Sequence, residues 1–254
     1  MKKIETHCHS NPISTCSRQS AEILADRYAK CGFDAVTLSN HYSDSYRDCY
    51  GASFDEWLNA YIAEYRRFAD VCGKNGIEGW LGAEVTLFAP YSQPLKKQYS
   101  EQFLRDNYAD YILIGVTEQF LRETPDLCRL DQKELYSECK KHGVLLFQAH
   151  PFRSAQGHSP RDLDYLDGLE INGCCGFTAN PLDVREEEIN RIADERNLIV
   201  IAGGDTHYDW HKLQTATFVG DEVRSSTDLA DYLRVNRRPK YTISADDPTA
   251  ADRP

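Results

Sequence analysis

Histidines recur in this sequence in short motifs, each closing an apolar run. His7-Cys8-His9 follows 4–6, Asn40-His41 follows 35–39, Ala149-His150-Pro151 follows 144–148, and Gly204-Asp205-Thr206-His207 follows 198–202. A fifth run closes on a carboxylate, Leu81-Gly82-Ala83-Glu84. Imidazoles and carboxylates at strand ends are what a barrel enzyme uses to assemble a metal site at one rim. In a strand, residues two apart share a side. His7 and His9 can therefore reach one ion while Cys8 points away, and Asp205 and His207 repeat that geometry. Such a donor set suits Zn²⁺, Mn²⁺ or Fe²⁺. Each motif alone has an ordinary reading: a surface pair for His-x-His, a turn for His-Pro. Their common placement argues for a joint site. The other histidines do not share it. His142 precedes Gly143 at a helix end, where a cation suits the dipole; His158 and His211 read as loop residues.

The elements that must position these groups alternate along the chain. Strand patterns cover 3–7, 34–39, 78–84, 110–116, 144–149, 168–172 and 198–203, with helical patterns between them. Ser20 is placed to cap a helix ending near Gly32. Ser53/Glu56 and Asp131/Glu134 have capping-box spacing before helices that stop at Gly76 and Gly143. Asn180-Pro181 precedes an acidic helix containing Arg185-Glu186-Glu187-Glu188. Gly203 and Gly204 are expected to allow a tight backbone turn. Strand–helix alternation of this kind predicts a parallel sheet or closed barrel. Ligands spread over most strand ends favour the barrel, because an open sheet gathers its site at one switch point.

A length of 254 residues and 41% hydrophobic content fit a single barrel domain over 1–244, followed by a flexible tail over 245–254. The net charge of −11 argues against long nucleic acid as a partner. It leaves room for a small phosphorylated substrate, since bound metals and a few arginines reverse the local field. No apolar run is long enough to span a bilayer. The residues after Met1 lack a signal-peptide core. The nine cysteines, odd in number and scattered, read as reduced thiols of a cytoplasmic protein. Oligomeric state leaves no trace in the sequence.

Together these motifs resemble the PHP (polymerase and histidinol phosphatase) family of metal-dependent phosphoesterases, over about residues 3 to 243. Glu5-Thr6-His7-Cys8-His9-Ser10 is similar to the family's first motif, Ser39-Asn40-His41 to the second, His150-Pro151 to the third and Gly204-Asp205-Thr206-His207 to the fourth. The resemblance implies an α/β fold, a distorted seven-stranded, TIM-like (β/α) barrel of parallel strands with outer helices. It also implies two or three divalent ions. One would take His7, His9, Glu84 and Asp205. Glu84 would bridge to a second ion that also takes His150, and a third would take His41 and His207. The chain departs from the family pattern at several positions. After the fourth strand, where the family has a further histidine, the segment Ile114-Gly115-Val116-Thr117 leads to Glu118, which becomes the expected ligand. In the first loop Cys16 is the nearest match to the family's aspartate or histidine; it is either a ligand favouring zinc or iron or a free loop thiol. Glu5 and Asn40 replace aspartates and would orient His7 and His41.

The activity so implied is hydrolysis of a small phosphomonoester or nucleotide by a metal-activated hydroxide. Asp205 and His207 are the expected proton-transfer residues. Arg153 is the expected phosphate clamp, its planar fork matching phosphate oxygens, with Arg18 a second choice. Asn172 would bind substrate hydroxyls or cap a loop. Two other classes remain: a C–N hydrolase of amidohydrolase type, which usually carries a metal-bridging lysine, and a non-catalytic metal-binding PHP module.

Overall fold

Polar side chains start the helices at the expected places in the computed structural model, which describes residues 1–50, 53–89, 92–153, 159–173, 185–243 and 249. α1 (Ala21–Lys30) begins at Ser20, whose hydroxyl accepts from Ile23 N. A short α2 (Asp44–Tyr50) precedes α3 (Phe54–Lys74), which begins with the full Ser53/Glu56 capping box. Beyond the short α4 (Gln93–Lys96), α5 (Glu101–Asn107) and α6 (Glu118–Glu123), α7 (Gln132–Lys141) begins with the Asp131/Glu134 box. Each box satisfies two amides that the helix leaves open. α1, α3 and α7 stop shortly before Gly32, Gly76 and Gly143, all of positive φ. The acidic helix is α8 (Glu186–Arg196), with Glu186, Glu187 and Glu188 in its first turn, where the helix dipole favours negative charge. Asn180 and Pro181 lie outside the described residues.

Each expected strand segment is present: β1 (Lys2–Cys8), β2 (Ala35–Leu38), β4 (Glu78–Leu81), β6 (Ala109–Ile114), β7 (Leu145–Gln148), β8 (Gly168–Asn172) and β9 (Ile199–Gly203). The short β3 (His41–Tyr42), β5 (Ala83–Leu87), β10 (Thr215–Val219) and β11 (Lys240–Ile243) add to them. The strands form a mixed α/β arrangement of two sheets, ordered β11-β10-β1-β2-β4 and β3-β5-β6-β7-β8-β9. Most pairs around β1, β2 and β4 and around β7, β8 and β9 are parallel. The expectation of uniformly parallel strands does not hold. β6 runs antiparallel to both β5 and β7, and β10 antiparallel to β1 and β11.

The two sheets meet at Gly82. Its amide donates to Leu38 O at 3.0 Å, and Glu84 N donates to Asn40 O at 3.1 Å, so pairing passes from β2/β4 to β3/β5. A Cβ on Gly82 would stand 2.6 Å from Thr37 Cγ2, which explains the glycine. The Tyr61 hydroxyl of α3 engages Asn40 O at 2.7 Å and Gly82 O at 3.1 Å, occupying carbonyls at the break. On the other side of the molecule, Cys8 and Thr206 form a parallel bridge. There Asp205 N donates to His7 O at 2.7 Å and His9 N to Thr206 O at 3.2 Å.

β6 shows how burial on both faces is divided. Ile112 and Ile114 pack with Leu145, Phe147, Ile199 and Ile201. Tyr111 and Leu113 pack the other way, with Leu146, Leu169 and Val200. Asp110 shares the face of Ile112 and Ile114 by the period of two. β1 reaches the same interior with a register shift between Glu5 and Cys8. That bulge lets Ile4 and His7, an odd number of residues apart, serve one face. Of the expected tail only Thr249 is described, and it accepts a hydrogen bond from Arg27 Nε at 3.2 Å. No helix among the described residues is long and apolar enough to cross a membrane. Cys8 and Cys16 are among the free cysteines.

Candidate metal centre

The strand ends bring His7, His9, His41, Glu84, His150, Asp205 and His207 together. Three groups of donor atoms each lie within 4.8 Å of one another: His9/His41/His207, His7/His9/Glu84 and Glu84/Asp110/His150. Glu84 and His9 each belong to two groups. Around Glu84, His41 Nδ1 is 2.7 Å from Oε2 and His150 Nε2 is 3.0 Å from Oε1. His7 Nε2 and His9 Nε2 each lie 3.4 Å from a Glu84 oxygen. Around Asp205, Oδ1 is 3.1 Å from His9 Nε2, 3.3 Å from His207 Nδ1 and 3.4 Å from His7 Nε2. His7 Nε2 and His9 Nε2 approach each other to 3.0 Å.

This donor set fits divalent ions. Glu84 Oε2 and Asp205 Oδ1 are buried and accept no hydrogen bond of ordinary geometry, although ring nitrogens stand close by. Asp110 Oδ1 is likewise buried and accepts none. Buried polar atoms normally find partners; here lone pairs from different strands face common points, as ligands do. Without an ion, the cluster's own charges compensate one another: although burial lowers them, His7 and His41 are raised well above the usual imidazole range by the carboxylates around them. Burial alone would raise the Glu84 carboxyl, yet His41 and His7 hold it well below the carboxylate range. Asp205 is likewise raised by burial but held well down by Arg153 and His7. His9, buried and flanked by His207 and His41, is held well below its usual range, in the neutral form that ligates.

A chain of hydrogen bonds behind the donors ties three of them together. His7 Nδ1 is 2.8 Å from Glu170 Oε1. Glu170 Oε2 accepts from His150 N at 2.8 Å and from Asn172 Nδ2 at 3.0 Å. Arg153 Nη2 donates to Asn172 Oδ1 at 2.9 Å and to Asp205 Oδ2 at 2.5 Å. Glu170 thus fixes the His7 tautomer, and Arg153 leaves one oxygen of Asp205 facing the histidines. Gly203 makes room for this layer: a Cβ there would stand 2.4 Å from Glu170 Oε1 and 2.7 Å from His7 Cβ. Close approach, and not the tight turn expected of Gly203 and Gly204, is what that glycine supplies. The left-handed residue of the motif is Asp205, φ 49°, and His150 has φ 30°. Non-glycine residues in that region store strain that the surroundings must hold.

Several expected roles change. Glu118 is not brought into the cluster. It opens α6 and pairs with Arg66, whose Nε donates to Oε1 at 2.7 Å. The cause is the direction of β6: its C-terminal end points away from the rim, and its N-terminal Asp110 lies there instead. Arg153 and Asn172 are both buried and engaged with Asp205 and Glu170, where a phosphate clamp and a hydroxyl binder were expected. Arg18 has an exposed side chain, and its amide donates to His207 O at 2.8 Å, which sets it at the rim. Cys16 does reach the cluster. Burial would raise its thiol, but His41 and His207 beside it bring it down to about 5.

Glu5 and Asn40 act on backbone and hydroxyls instead of on imidazoles. Glu5 Oε1 accepts from the amides of Thr6, His7 and Gly204 at 2.8–2.9 Å. Asn40 Oδ1 accepts from Ser10 N and Ser14 Oγ, both at 2.8 Å. Ser14 Oγ accepts from His41 N at 2.9 Å and lies 3.3 Å from His9 Nδ1. Outside the cluster, His142 caps α7 and lies 3.4 Å from Glu138. His211 backs His207, whose amide donates to its Nδ1 at 3.2 Å; burial brings its pKa to about 4. His158 lies outside the described residues. Sequence reasoning missed Asp110, Glu170 and Ser14. For the first two a signal existed: each is a carboxylate inside an apolar strand run, where an unpaired charge is costly.

No family model matches the chain, and no curated protein matches it. Solved structures do share its fold. A two-domain protein of Bacteroides vulgatus containing a predicted PHP-like metal-dependent phosphoesterase aligns at TM-score 0.61 and 21% identity, over 96% of this chain and 65% of that one. The present chain thus spans about two thirds of that relative. PsfC of Pseudomonas syringae aligns at TM-score 0.60 and 17% identity, over 97% and 93%. The lesion-specific endonuclease PfuEndoQ of Pyrococcus furiosus aligns at TM-score 0.52 and 14% identity, over 87% and 53%. The fold is therefore a PHP-like one.

Proposed function

We propose that this protein is a PHP-family, metal-dependent phosphoesterase hydrolysing a small phosphomonoester or nucleotide. The observation that carries this reading is the convergence of buried imidazoles and carboxylates from separate strands into overlapping donor groups. The fold shared with a protein described as containing a PHP-like phosphoesterase supports it. We further propose that the bonds at Gly82 and between His7, His9 and residues 205–206 close the two sheets into a distorted seven-stranded barrel.

His7, His9, Glu84, Asp110, His150 and Asp205 would hold two ions, with Glu84 shared; His41, His207 and Cys16 would hold a third. When bound, divalent zinc, manganese or iron activates water and offsets the negative charge of a transferring phosphoryl group. The chain's own residues do the rest. Glu170, Arg153 and Ser14 orient the donors. Asp205 and His207 would transfer protons only where a bound ion leaves one of them free; His207 Nδ1 lies 3.0 Å from Asp205 O and 3.3 Å from its Oδ1. With Arg153 committed to Asp205, the exposed Arg18 at the rim is the better phosphate contact.

The net charge of −11 favours a small substrate over long nucleic acid. Because an endonuclease shares the fold, a short oligonucleotide belongs in the assay. The test is metal per chain together with hydrolysis of an aryl phosphate and a nucleotide, on wild type, His9→Ala and Asp205→Ala. Bound metal with hydrolysis lost in both variants is expected. Retention of hydrolysis by both variants, or a wild type that binds no metal, overturns the reading.

A further inference from the structure

The donor groups differ in chemistry from one side of the centre to the other. Glu84, Asp110 and His150 offer two carboxylates and one imidazole. His9, His41 and His207 offer three imidazoles, with the Cys16 thiol against His41 and His207. Asp110 is the residue that creates the difference. It is 3% exposed, its Oδ1 accepts no hydrogen bond, and its Oδ2 lies 3.8 Å from His150 Nε2. Hard carboxylate oxygens suit manganese or magnesium, whereas imidazole and thiolate suit zinc and iron.

We propose that the centre is heterometallic by construction: the Glu84/Asp110/His150 corner retains a hard ion such as Mn²⁺ while the His9/His41/His207 corner takes a softer one such as Zn²⁺. The proposal rests on the metal-centre reading given above. Zinc binds most nitrogen and oxygen sites more tightly than manganese, so the asymmetry lies in how readily zinc displaces manganese from each corner. Glu84 touches a residue of each corner, its Oε1 3.0 Å from His150 Nε2 and its Oε2 2.7 Å from His41 Nδ1.

The experiment loads metal-stripped full-length protein with Mn²⁺ and titrates it with Zn²⁺. Released Mn²⁺ is followed by its electron paramagnetic resonance signal, and retained metals by elemental analysis. Two phases are expected, the second resistant to zinc. Asp110→His removes the resistant phase. Cys16→Ser moves the first phase to higher zinc and leaves the second alone. Release in one phase from wild type overturns the partition while leaving a metal centre in place, and needs no variant to fold. A two-phase release that Asp110→His leaves unchanged also overturns it, since the hard corner would then lie elsewhere. A wild type that retains neither metal overturns the partition together with the metal-centre reading beneath it.

Discussion

Asp110 Oδ2 lies 3.8 Å from His150 Nε2, and the backbone joins the same two segments, with Ala149 N donating to Asp110 O at 2.9 Å. This pairing exists because β6 runs against β7, which puts the first residues of one strand beside the last residues of the other. It sets apart two carboxylates: Asp110, which sequence reasoning missed, and Glu118, which it expected as a ligand. Asp110→Ala should lower metal content and reduce the proposed phosphoesterase activity by about a hundredfold or more, beyond what loss of an outer partner costs. Glu118→Ala should leave both unchanged, because it removes only an ion pair with the exposed, solvent-screened Arg66. Side-by-side metal analysis and rates check this, and equal losses in the two variants would count against Asp110.

Arg153 gives a prediction that separates positioning from substrate binding. Its guanidinium bridges Asn172 and Asp205. Both bonds come from Nη2, which lies one bond farther along the side chain than a lysine's Nζ, so the shorter ammonium falls short of that point. Arg153→Lys should therefore weaken metal binding by about 10–100-fold, with kcat falling alongside. If the residue were purely a phosphate clamp, KM would rise and metal affinity would stay as it was.

Glu170→Gln tests the layer behind the imidazoles. One glutamine cannot accept at both ends, so either the His7 contact or the His150 amide contact is lost. The expected cost is about 1–3 kcal/mol of stability for the unsatisfied buried group, with weaker metal binding. Urea unfolding and metal titration of the same sample measure the two effects; full retention of both would remove Glu170 from the design.

The Cys16 thiol predicts a pH dependence of reactivity. Neighbouring His41 and His207 outweigh burial and bring it from 9.0 down to about 5. A lowered pKa means that the thiolate persists as the pH falls. In metal-free protein, iodoacetamide should still label Cys16 quickly at pH 6 and lose rate only as the pH drops through about 5. Peptide mass analysis follows the label. A midpoint near 8.5, as for an ordinary thiol, would show that the histidines exert no such pull.

Glu5 predicts stability in the opposite sense. Burial, only partly offset by hydrogen bonds from the Gly204 and His7 amides, raises its carboxyl from 4.5 to about 7. Between these values the folded state holds a proton that the unfolded state has released. Stability is then lost as pH rises through this window, by roughly 3 kcal/mol at the outside. Metal-free Glu5→Gln should lack that part of the slope, since its amide carbonyl can still accept from the backbone. Urea midpoints at pH 5 and pH 7.5 for both proteins decide it.

The strand segments and the donors at parallel strand ends were legible because hydrophobic runs and terminal histidines are local features. Ser53/Glu56 and Asp131/Glu134 were legible for the same reason: a capping box lies within one turn. The direction of β6 was not legible, since nothing within residues 109–114 records which neighbours it will pair with. That one reversal accounts for choosing Glu118 over Asp110. The role of Arg153 depended on Asn172 and Asp205, remote in sequence and brought together only by folding. Glu170 carried a readable signal, a charge inside an apolar strand, but its partner His7 is 163 residues away.

His9 N is bonded to Thr206 O, and the rings of His9 and His207 lie 4.3 Å apart. Chains emerge from the ribosome in order and tend to fold in that order. His7 and His9 are thus made early and must wait, exposed, until the segment around His207 has been synthesised. An ion captured before then would find only the incomplete donor set of a nascent chain. Loading of the proposed centre therefore follows synthesis of the segment around His207, and premature capture of metal by the earlier histidines is a hazard that the order of translation imposes.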